Sequence, residues 1–290
     1  MNDIAIPKPD TAPVVFERSP GYWQTVGRRF MRDKVALGAA LVVLTLLFLA
    51  VFGPMITPAD PYESSMLKRL KPIGFEGHPL GTDELGRDML SRLMVGARLS
   101  LFMGITPVIC AFVLGSLIGI TAGYAGGVTN SVMMRTIDVF YAFPSVLLAI
   151  ALSGALGAGI TNSLISLTIV FIPPIARVAE SVTTQIRNRD FVDAARASGA
   201  NAFTIVRVHV LGNVLGPIFV YATSLIAVSM ILASGLSFLG LGVKPPEPEW
   251  GLMLNTLRTA IYVQPWIAAL PGVMIFITSI SFNMLADGLR

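Results

Sequence analysis

Charged residues are scarce in this chain of 290 residues: Asp, Glu, Lys and Arg make up 13% of it, while hydrophobic residues make up 54%. Soluble domains carry about 25% charged residues, so the scarcity excludes an ordinary water-soluble fold. Apolar runs close to 20 residues recur along the chain, and a helix of about that length crosses the hydrocarbon core of a bilayer. The composition predicts an all-α, polytopic membrane protein.

Several kinds of chemistry are missing from the sequence. Cysteine occurs once, as Cys110, which excludes an intrachain disulfide and a cysteine-based metal site. There is no GxxxxGK[ST] phosphate loop, no HExxH and no GxSxG motif. We therefore expect no catalytic residue, no metal site and no cofactor in this chain. The absence of a long basic run with interleaved aromatic residues also speaks against a nucleic-acid partner.

The first third of the chain divides by polarity. Residues 1–34 form a polar tail, 35–56 a charge-free first span, and 57–98 a polar loop in which we expect an amphipathic helix. Four basic residues crowd the start of the first span: Arg28, Arg29, Arg32 and Lys34. By the positive-inside rule they place the tail in the cytoplasm.

The remaining residues, 99–290, form a core of five further spans. Glycine-rich stretches at 123–130 and 154–162 divide two charge-free runs that are too long for single spans. The fifth span is expected within 210–243 and the sixth within 266–286. Six spans put both termini on the same, cytoplasmic side.

Ionisable residues are nearly absent from the predicted spans. Asp138 comes closest, and Arg135 precedes it by three residues, a spacing that brings both onto one face of a helix. We interpret them as an interfacial ion pair. Ion-coupled carriers usually hold an ionisable group within the bilayer, so the energy for any transport is expected to come from another chain.

The segment 189–213, RDFVDAARASGANAFTIVRVHVLGN, is unusually polar and alanine-rich for this chain. As a helix, its first half presents a low face of residues spaced i, i+3, i+4 and i+7: Phe191, Ala194, Ala195 and Ser198. Gly199 is expected to end that helix, and Asn201 to cap a second helix over 202–210. The small side chains favour docking to a protein partner, whereas a helix lying on the membrane would carry bulkier apolar residues.

This segment resembles the EAA loop of ABC-importer permeases. Asp193-Ala194-Ala195 stands at the E-A-A positions, Gly199 at the required glycine, and HVLGN (209–213) at the His-x-Leu-Pro-Asn ending. There are two departures, namely aspartate for glutamate and Gly212 for proline.

Two more segments and the chain's end extend the resemblance to about residues 20–290. HPLGTDELGRDMLSRLMVGARLSL (78–101) and LSFLGLGVKPPEPEWGLML (236–254) resemble signatures of the C-type permease of dipeptide/oligopeptide importers, and LADGLR resembles that family's C-terminus.

The resemblance implies a type I ABC-importer permease fold in a bacterial cytoplasmic membrane. It implies three kinds of partner besides lipid: a homologous second permease chain, two ATPase subunits that carry ATP and Mg, and an extracytoplasmic solute-binding protein. The residues expected to couple to the ATPase are Arg189, Asp190, Asp193, Ala194, Ala195, Arg196, Gly199 and Ala200.

The polar loop offers a second candidate site. Thr82 is expected to cap a helix whose first turn holds Asp83 and Glu84, with Asp88 and Arg92 as an i, i+4 pair. Four residues are candidates for an outer gate or for docking the binding protein: Asp83, Arg87, Asp88 and Trp250. The alternative, of equal weight, is that this region is interfacial, with Trp250 and Trp266 as aromatic anchors.

The substrate implied by the resemblance is a di- or oligopeptide. Nickel chelates, glutathione and sugar conjugates are alternatives handled by related permeases. Two other classes of protein stay open on the residues alone: an ion-coupled secondary transporter and a membrane scaffold that transports nothing. Neither of them accounts for the EAA-like spacing.

Overall fold

A computed structural model describes residues 22–290, with side chains from Val26 onward. Within that range no β-strand forms, and the expected all-α class is confirmed. The α-helices in chain order are α1 Tyr22–Phe30, α2 Lys34–Ile56, α3 Met89–Ala125, α4 Gly127–Tyr141, α5 Ser145–Leu156, α6 Ile160–Arg187, α7 Asp190–Ala197, α8 Ala202–Ile205, α9 Leu211–Phe238, α10 Trp250–Thr256 and α11 Pro265–Gly288. The predicted tail lies mostly outside the described residues.

Among residues 22–290, five stretches are long and apolar enough to cross a membrane: α2, α3, α6, α8 with α9, and α11. A sixth crossing exists if α4 and α5 count as one span, because the two helices are bent by 85° at the break between them. The bend was not anticipated from the sequence, although Pro144 stands immediately before α5.

The predicted breaks are confirmed at both glycine-rich stretches. α3 ends at Gly126, whose φ of 68° lies in the left-handed region that glycine adopts freely. α5 and α6 are separated by residues 157–159, and Gly157 has a φ of 90°. α2 and α11 also match the predicted first and sixth spans to within two residues at each end.

The expected helix after Thr82 is wrong. The helix begins at Met89, where the side chain of Asp88 accepts a hydrogen bond from the backbone N–H of Ser91 at 2.7 Å. Residues 82–88 form a tight turn that is closed by a bridge between Thr82 and Asp88. The boundary drawn at 98 therefore falls inside α3, which runs on to Ala125 without a break.

α3 is the central element of the bundle. It packs against α6 on one side and against α2 and α9 on the other, while α11 covers α2 and α9. We name the two ends of the bundle by the segments that they carry, the 57–88 end and the 187–210 end. α3 runs from the first end to the second, and α6 runs parallel to it, because Gly115, Gly119 and Gly123 meet successively later residues of α6.

The contact between α3 and α6 depends on three glycines spaced four residues apart, Gly115, Gly119 and Gly123. A Cβ atom on Gly119 or Gly123 would overlap the α6 backbone, and one on Gly115 would lie only 3.0 Å from the carbonyl oxygen of Ile172. Small residues at this spacing let two membrane helices approach closely, which favours van der Waals packing where no hydrophobic effect operates. The sequence carried this signal, but the sequence-based prediction did not use it.

We expect Gly119→Ala to lower the free energy of unfolding by about 3 kcal/mol, the upper end for overpacking a core. The new methyl group would overlap the carbonyl oxygen of Ala176 and lie 2.6 Å from Cβ of Ala179. Thermal unfolding in detergent measures the change. Gly38→Ala is the matched control, since nothing lies within 4 Å of a Cβ there. Equal losses in the two variants would contradict the packing argument.

Candidate functional site

The segment after α6 has the predicted helix, glycine turn and second helix. α7 carries Asp190 and Asp193 in its first turn and Arg196 in its last turn, an arrangement that the helix dipole stabilises. Nη1 of Arg196 donates to Asp193 at 3.1 Å. The charged residues thus support the short helix in which they lie.

Gly199 ends α7 with a φ of 84°. The N–H of Gly199 donates to the carbonyl of Arg196, and the N–H of Ala200 donates to that of Ala195, at 2.9 and 3.1 Å. This pair of bonds is a Schellman motif, which closes a helix when its C′ residue adopts a positive φ. Asn201 then caps α8, where its side chain accepts from the N–H of Thr204 at 2.8 Å. Both predicted roles are confirmed.

One side of the segment is fixed to the bundle. Val192 and Ile205 are buried at 0% and 1% exposure within the main apolar core, and Ala195 packs against the same core. Arg196 also lies 5.9 Å from the ring centroid of Tyr124, at the end of α3. The segment is therefore attached to α3 as well as to its own neighbours in sequence, which makes it a rigid projection.

The other side of the segment is exposed. Asp190, Phe191, Asp193, Ala194 and Arg196 are accessible on α7. The predicted low face is therefore divided, because Ala195 turns toward the core while its neighbours on that face do not. Arg189 and Gly199 are exposed as well, and Ala200 is half-buried.

At Gly212 the chain continues as a helix. Residues 206–210 form a π-helical turn, and α9 begins at Leu211 directly after it. Nothing lies within 4 Å of a Cβ built on Gly212. The irregularity at the entry to this span thus precedes Gly212.

The second predicted site is a buried network at the 57–88 end. Asp83 accepts from Nε of Arg87 at 2.6 Å, and Nε of Arg92 lies 3.2 Å from the same carboxylate oxygen. The exposure of the three residues is 1%, 5% and 3%. The network holds the loop against the first turn of α3.

The expected pair of Asp88 with Arg92 is wrong. Asp88 contacts Nδ1 of His78 at 3.0 Å and caps α3, and Arg92 is turned toward Asp83. Nη1 of Arg92 also donates to the carbonyl of Pro61 at 3.0 Å. The loop supplies the partners of both residues, although Nε of Arg92 makes an ion-pair contact without a hydrogen bond. Their sequence spacing does not reveal these partners.

Trp250 lies in the interior and not at a membrane interface. It is 0% exposed, and its indole N–H donates to the carbonyl of Leu93 at 3.0 Å. Trp266, at 76% exposure, remains available as the predicted anchor. Since Asp83, Arg87 and Asp88 are buried too, any effect of these candidate residues on docking or gating is exerted through the loop that they hold.

Glu249 caps α10 and was missed from the sequence. Its carboxylate accepts from the N–H groups of Gly251 and Leu252 at 2.9 and 2.8 Å, and it is 1% exposed. Burial raises the pKa of this carboxyl above its ordinary value of 4.5, against the lowering effect of the backbone donors. The folded chain therefore holds the proton more tightly than the unfolded chain does.

We expect the stability of the protein to fall as the pH rises from about 4.5 toward the raised pKa of Glu249, because the unfolded state loses its proton first. Glu249→Gln keeps an oxygen to cap α10 but removes this titration. Thermal unfolding of both proteins between pH 4.5 and 8 provides the comparison. A decline of the same size in the variant would assign the pH dependence to other groups.

The predicted pair of Arg135 with Asp138 is also wrong. Asp138 in α4 pairs across the bundle with Nη2 of Arg177 in α6. The two side chains are 42% and 45% exposed, so the pair faces an open space. Sequence spacing identifies partners on one helix only, and this contact joins residues on two helices.

A family described as "Binding-protein-dependent transport system inner membrane component" matches residues 115–290. The chain belongs to this family. A second family, the "N-terminal TM domain of oligopeptide transport permease C", matches residues 21–72 of the permease.

Two curated relatives cover nearly the whole permease. The glutathione transport system permease protein GsiD of Pectobacterium atrosepticum is 39% identical over 281 residues, 97% of this chain and 93% of the relative. The di/tripeptide transport system permease protein DppC of Pseudomonas aeruginosa is 40% identical over 274 residues, 93% of this chain and 89% of the relative. The permease is an ABC-importer subunit of the dipeptide/oligopeptide family.

A solved structure supports the fold. The inward-facing MetNI methionine ABC transporter aligns with a TM-score of 0.55 at 18% identity, over 70% of this chain and 98% of the other. The permease is therefore a multi-pass inner-membrane protein with the fold of ABC-importer permeases. Its family works with ATPase subunits, a second permease and a substrate-binding protein.

Proposed function

We propose that the permease forms one half of a translocation path for di- and tripeptides, glutathione included. The observation that carries the proposal is the agreement of two relatives at 39% and 40% identity, one named for glutathione and one for di/tripeptides. Both names describe short peptides or their close analogues.

In this proposal α7 and α8 seat on a cytoplasmic ATPase subunit. The segment is exposed on one side and fixed to α3, α6 and α9 on the other through Val192, Ile205 and Arg196. A rigid-body movement of the ATPase would thus be passed to the spans instead of being absorbed by a flexible loop. ATP and Mg belong to the ATPase subunits, and the permease itself has no catalytic role.

The 187–210 end and both termini then face the cytoplasm, and the 57–88 end faces outward. The four basic residues at the start of α2 and just before it support this orientation. The 57–88 end borders a cavity of about 890 Å³ whose lining includes Tyr62, Arg98 and Glu247. Its position suits it to the side from which a binding protein would deliver substrate.

The test is uptake by the complete importer in proteoliposomes. We expect radiolabelled glutathione or dialanine to accumulate only with ATP inside and the binding protein outside, and protonophores to have no effect. Uptake that needs no ATP and collapses with a protonophore would favour the ion-coupled alternative. If neither compound is taken up, the proposed substrate class is wrong.

A further inference from the structure

The strongest unexplained feature is a cavity that lies close to the pair of Asp138 and Arg177. This cavity of about 400 Å³ lies between α4, α5, α6 and α9 at the 85° bend, lined by residues that include Tyr141, Phe143, Ser145, Phe171, Pro174 and Tyr221. Sites for small molecules range from about 300 to 1,000 Å³ and combine apolar walls with a few placed polar groups. This cavity has aromatic walls, and its size is sufficient.

The ion pair lies next to one end of this cavity, outside its lining residues. Tyr141 follows Asp138 by three residues in α4, and Pro174 precedes Arg177 by three in α6. Residues three apart share a helix face. α4 and α6 run in opposite directions. Moving back from Tyr141 to Asp138 in α4 and forward from Pro174 to Arg177 in α6 therefore leads in both cases from the cavity toward the 187–210 end. Asp138 and Arg177 thus lie together, about one turn below the aromatic lining.

The position of this ion pair along the spanning helices requires an explanation. Arg177 lies about 15 Å before the end of α6, at 1.5 Å per residue, within a helix long and apolar enough to span the membrane. Ionisable groups at membrane depth are disfavoured, and those that occur mark substrate or ion pathways. Each side chain is nearly half exposed, so neither is enclosed in helix–helix packing as a purely structural link would be.

The charges match one class of ligand. A short peptide with free ends carries an ammonium and a carboxylate, and it can offer one to Asp138 and the other to Arg177. Guanidinium and carboxylate groups form strong, charge-assisted pairs, and aromatic faces attract ammonium groups. Exchange of the internal pair for two pairs with the peptide leaves no charge unpaired at membrane depth.

We propose that Asp138 and Arg177 form a binding site for the ammonium and carboxylate groups of a short peptide, at the end of the aromatic cavity nearest to residues 187–210. The inference rests on the proposed function, because it takes short peptides as the cargo. It adds a site at which this chain senses both peptide termini after the binding protein has released them.

The test measures protection of a cysteine in inverted membrane vesicles that contain the complete importer without nucleotide or binding protein. Cys110→Ser removes the one native cysteine, and Ser145→Cys places a reporter in the cavity lining. The rate of its reaction with a membrane-impermeant thiosulfonate is recorded with increasing trialanine. We expect trialanine to slow the reaction, and trialanine with both termini capped to have no effect.

Two variants test which residue binds which terminus of the peptide. We expect Arg177→Gln to raise the half-protecting concentration of trialanine at least about tenfold, as expected for a lost charge-assisted pair, and to abolish the difference between free acid and C-terminal amide. Asp138→Asn should abolish the difference between free amine and N-acetyl peptide. Asp287→Asn, at the exposed pair with Arg290, is the control and should change neither.

Three results would overturn the site: no protection by trialanine, equal protection by capped trialanine, or unchanged terminal selectivity in both variants. A role limited to joining α4 to α6 would alter the reaction rate without peptide but not the selectivity between termini. The assay involves neither ATP nor uptake. A failure here, together with successful uptake of dialanine or glutathione in proteoliposomes, would leave the proposed function intact.

Discussion

Asp83→Asn is expected to lower the free energy of unfolding of the permease by about 3–5 kcal/mol, the range for removing one partner of a buried ion pair. The variant keeps the shape of the side chain and an oxygen that can accept from the N–H groups of Leu85 and Arg87. It removes the charge that two buried guanidinium groups share, those of Arg87 and Arg92. Glu84 remains near Arg87 at 3.1 Å, and Arg92 has no other carboxylate among its described contacts.

Thermal unfolding of the detergent-solubilised importer measures this loss. Asp287→Asn is again the matched control, because its pair with Arg290 is long, at 3.8 Å, and exposed. Exposed pairs contribute about 0–1 kcal/mol. If the two variants lose equal stability, the network at the 57–88 end is not what holds the loop to α3.

Ala194→Trp should reduce ATP-dependent uptake at least about tenfold, equivalent to about 1.4 kcal/mol of lost interaction, while membrane insertion stays normal. The side chain of Ala194 is exposed on α7, so the larger group fits the isolated chain and obstructs only a surface that approaches it. Hydrolysis of ATP by the complex should lose its stimulation by the loaded binding protein. Uptake and hydrolysis are measured in the same proteoliposomes.

Ala194 gives a cleaner test than its neighbours. Ala195 packs against the core, and Gly199 requires a positive φ, so bulky residues at either position would disturb folding as well as docking. Leu41→Trp, on the exposed face of α2, controls for added bulk. Normal uptake by the Ala194 variant would contradict the docking role of α7. An equal loss of uptake in the Leu41 variant would show that the effect of Ala194→Trp is not specific to α7.

What the sequence predicted well is local. Gly199 and Asn201 act through backbone groups within a few residues of themselves, so their roles could be read from spacing alone. Thr82 was expected to cap a helix, and Asp88 caps it instead; both residue types cap helices, so residue type alone does not separate them. The contacts of Asp83 with Arg92 decide between them, since they hold residues 82–88 in a turn that a helix could not form.

Contacts between distant elements could not be predicted in this way. Asp138 and Arg177 lie on different helices, and the partner chosen from the sequence, Arg135, was simply the nearest along the chain. The α3–α6 contact is intermediate, because the spacing of Gly115, Gly119 and Gly123 marks a close approach without naming the helix that approaches. No periodic pattern in the sequence marks Glu249, and its role as a buried helix cap is seen only in the folded structure.

The 37 residues of α3 extend for about 55 Å at 1.5 Å per residue, well beyond the roughly 30 Å of a hydrocarbon core. Its first turns receive the loop through Arg92, and its last turn meets Arg196 of α7 through Tyr124. One continuous helix therefore acts as a strut whose length is set by covalent geometry and not by the lipid. In bilayers of different thickness, the lipid or the tilt of the protein must adapt, while the separation between the 57–88 end and the 187–210 end stays constant.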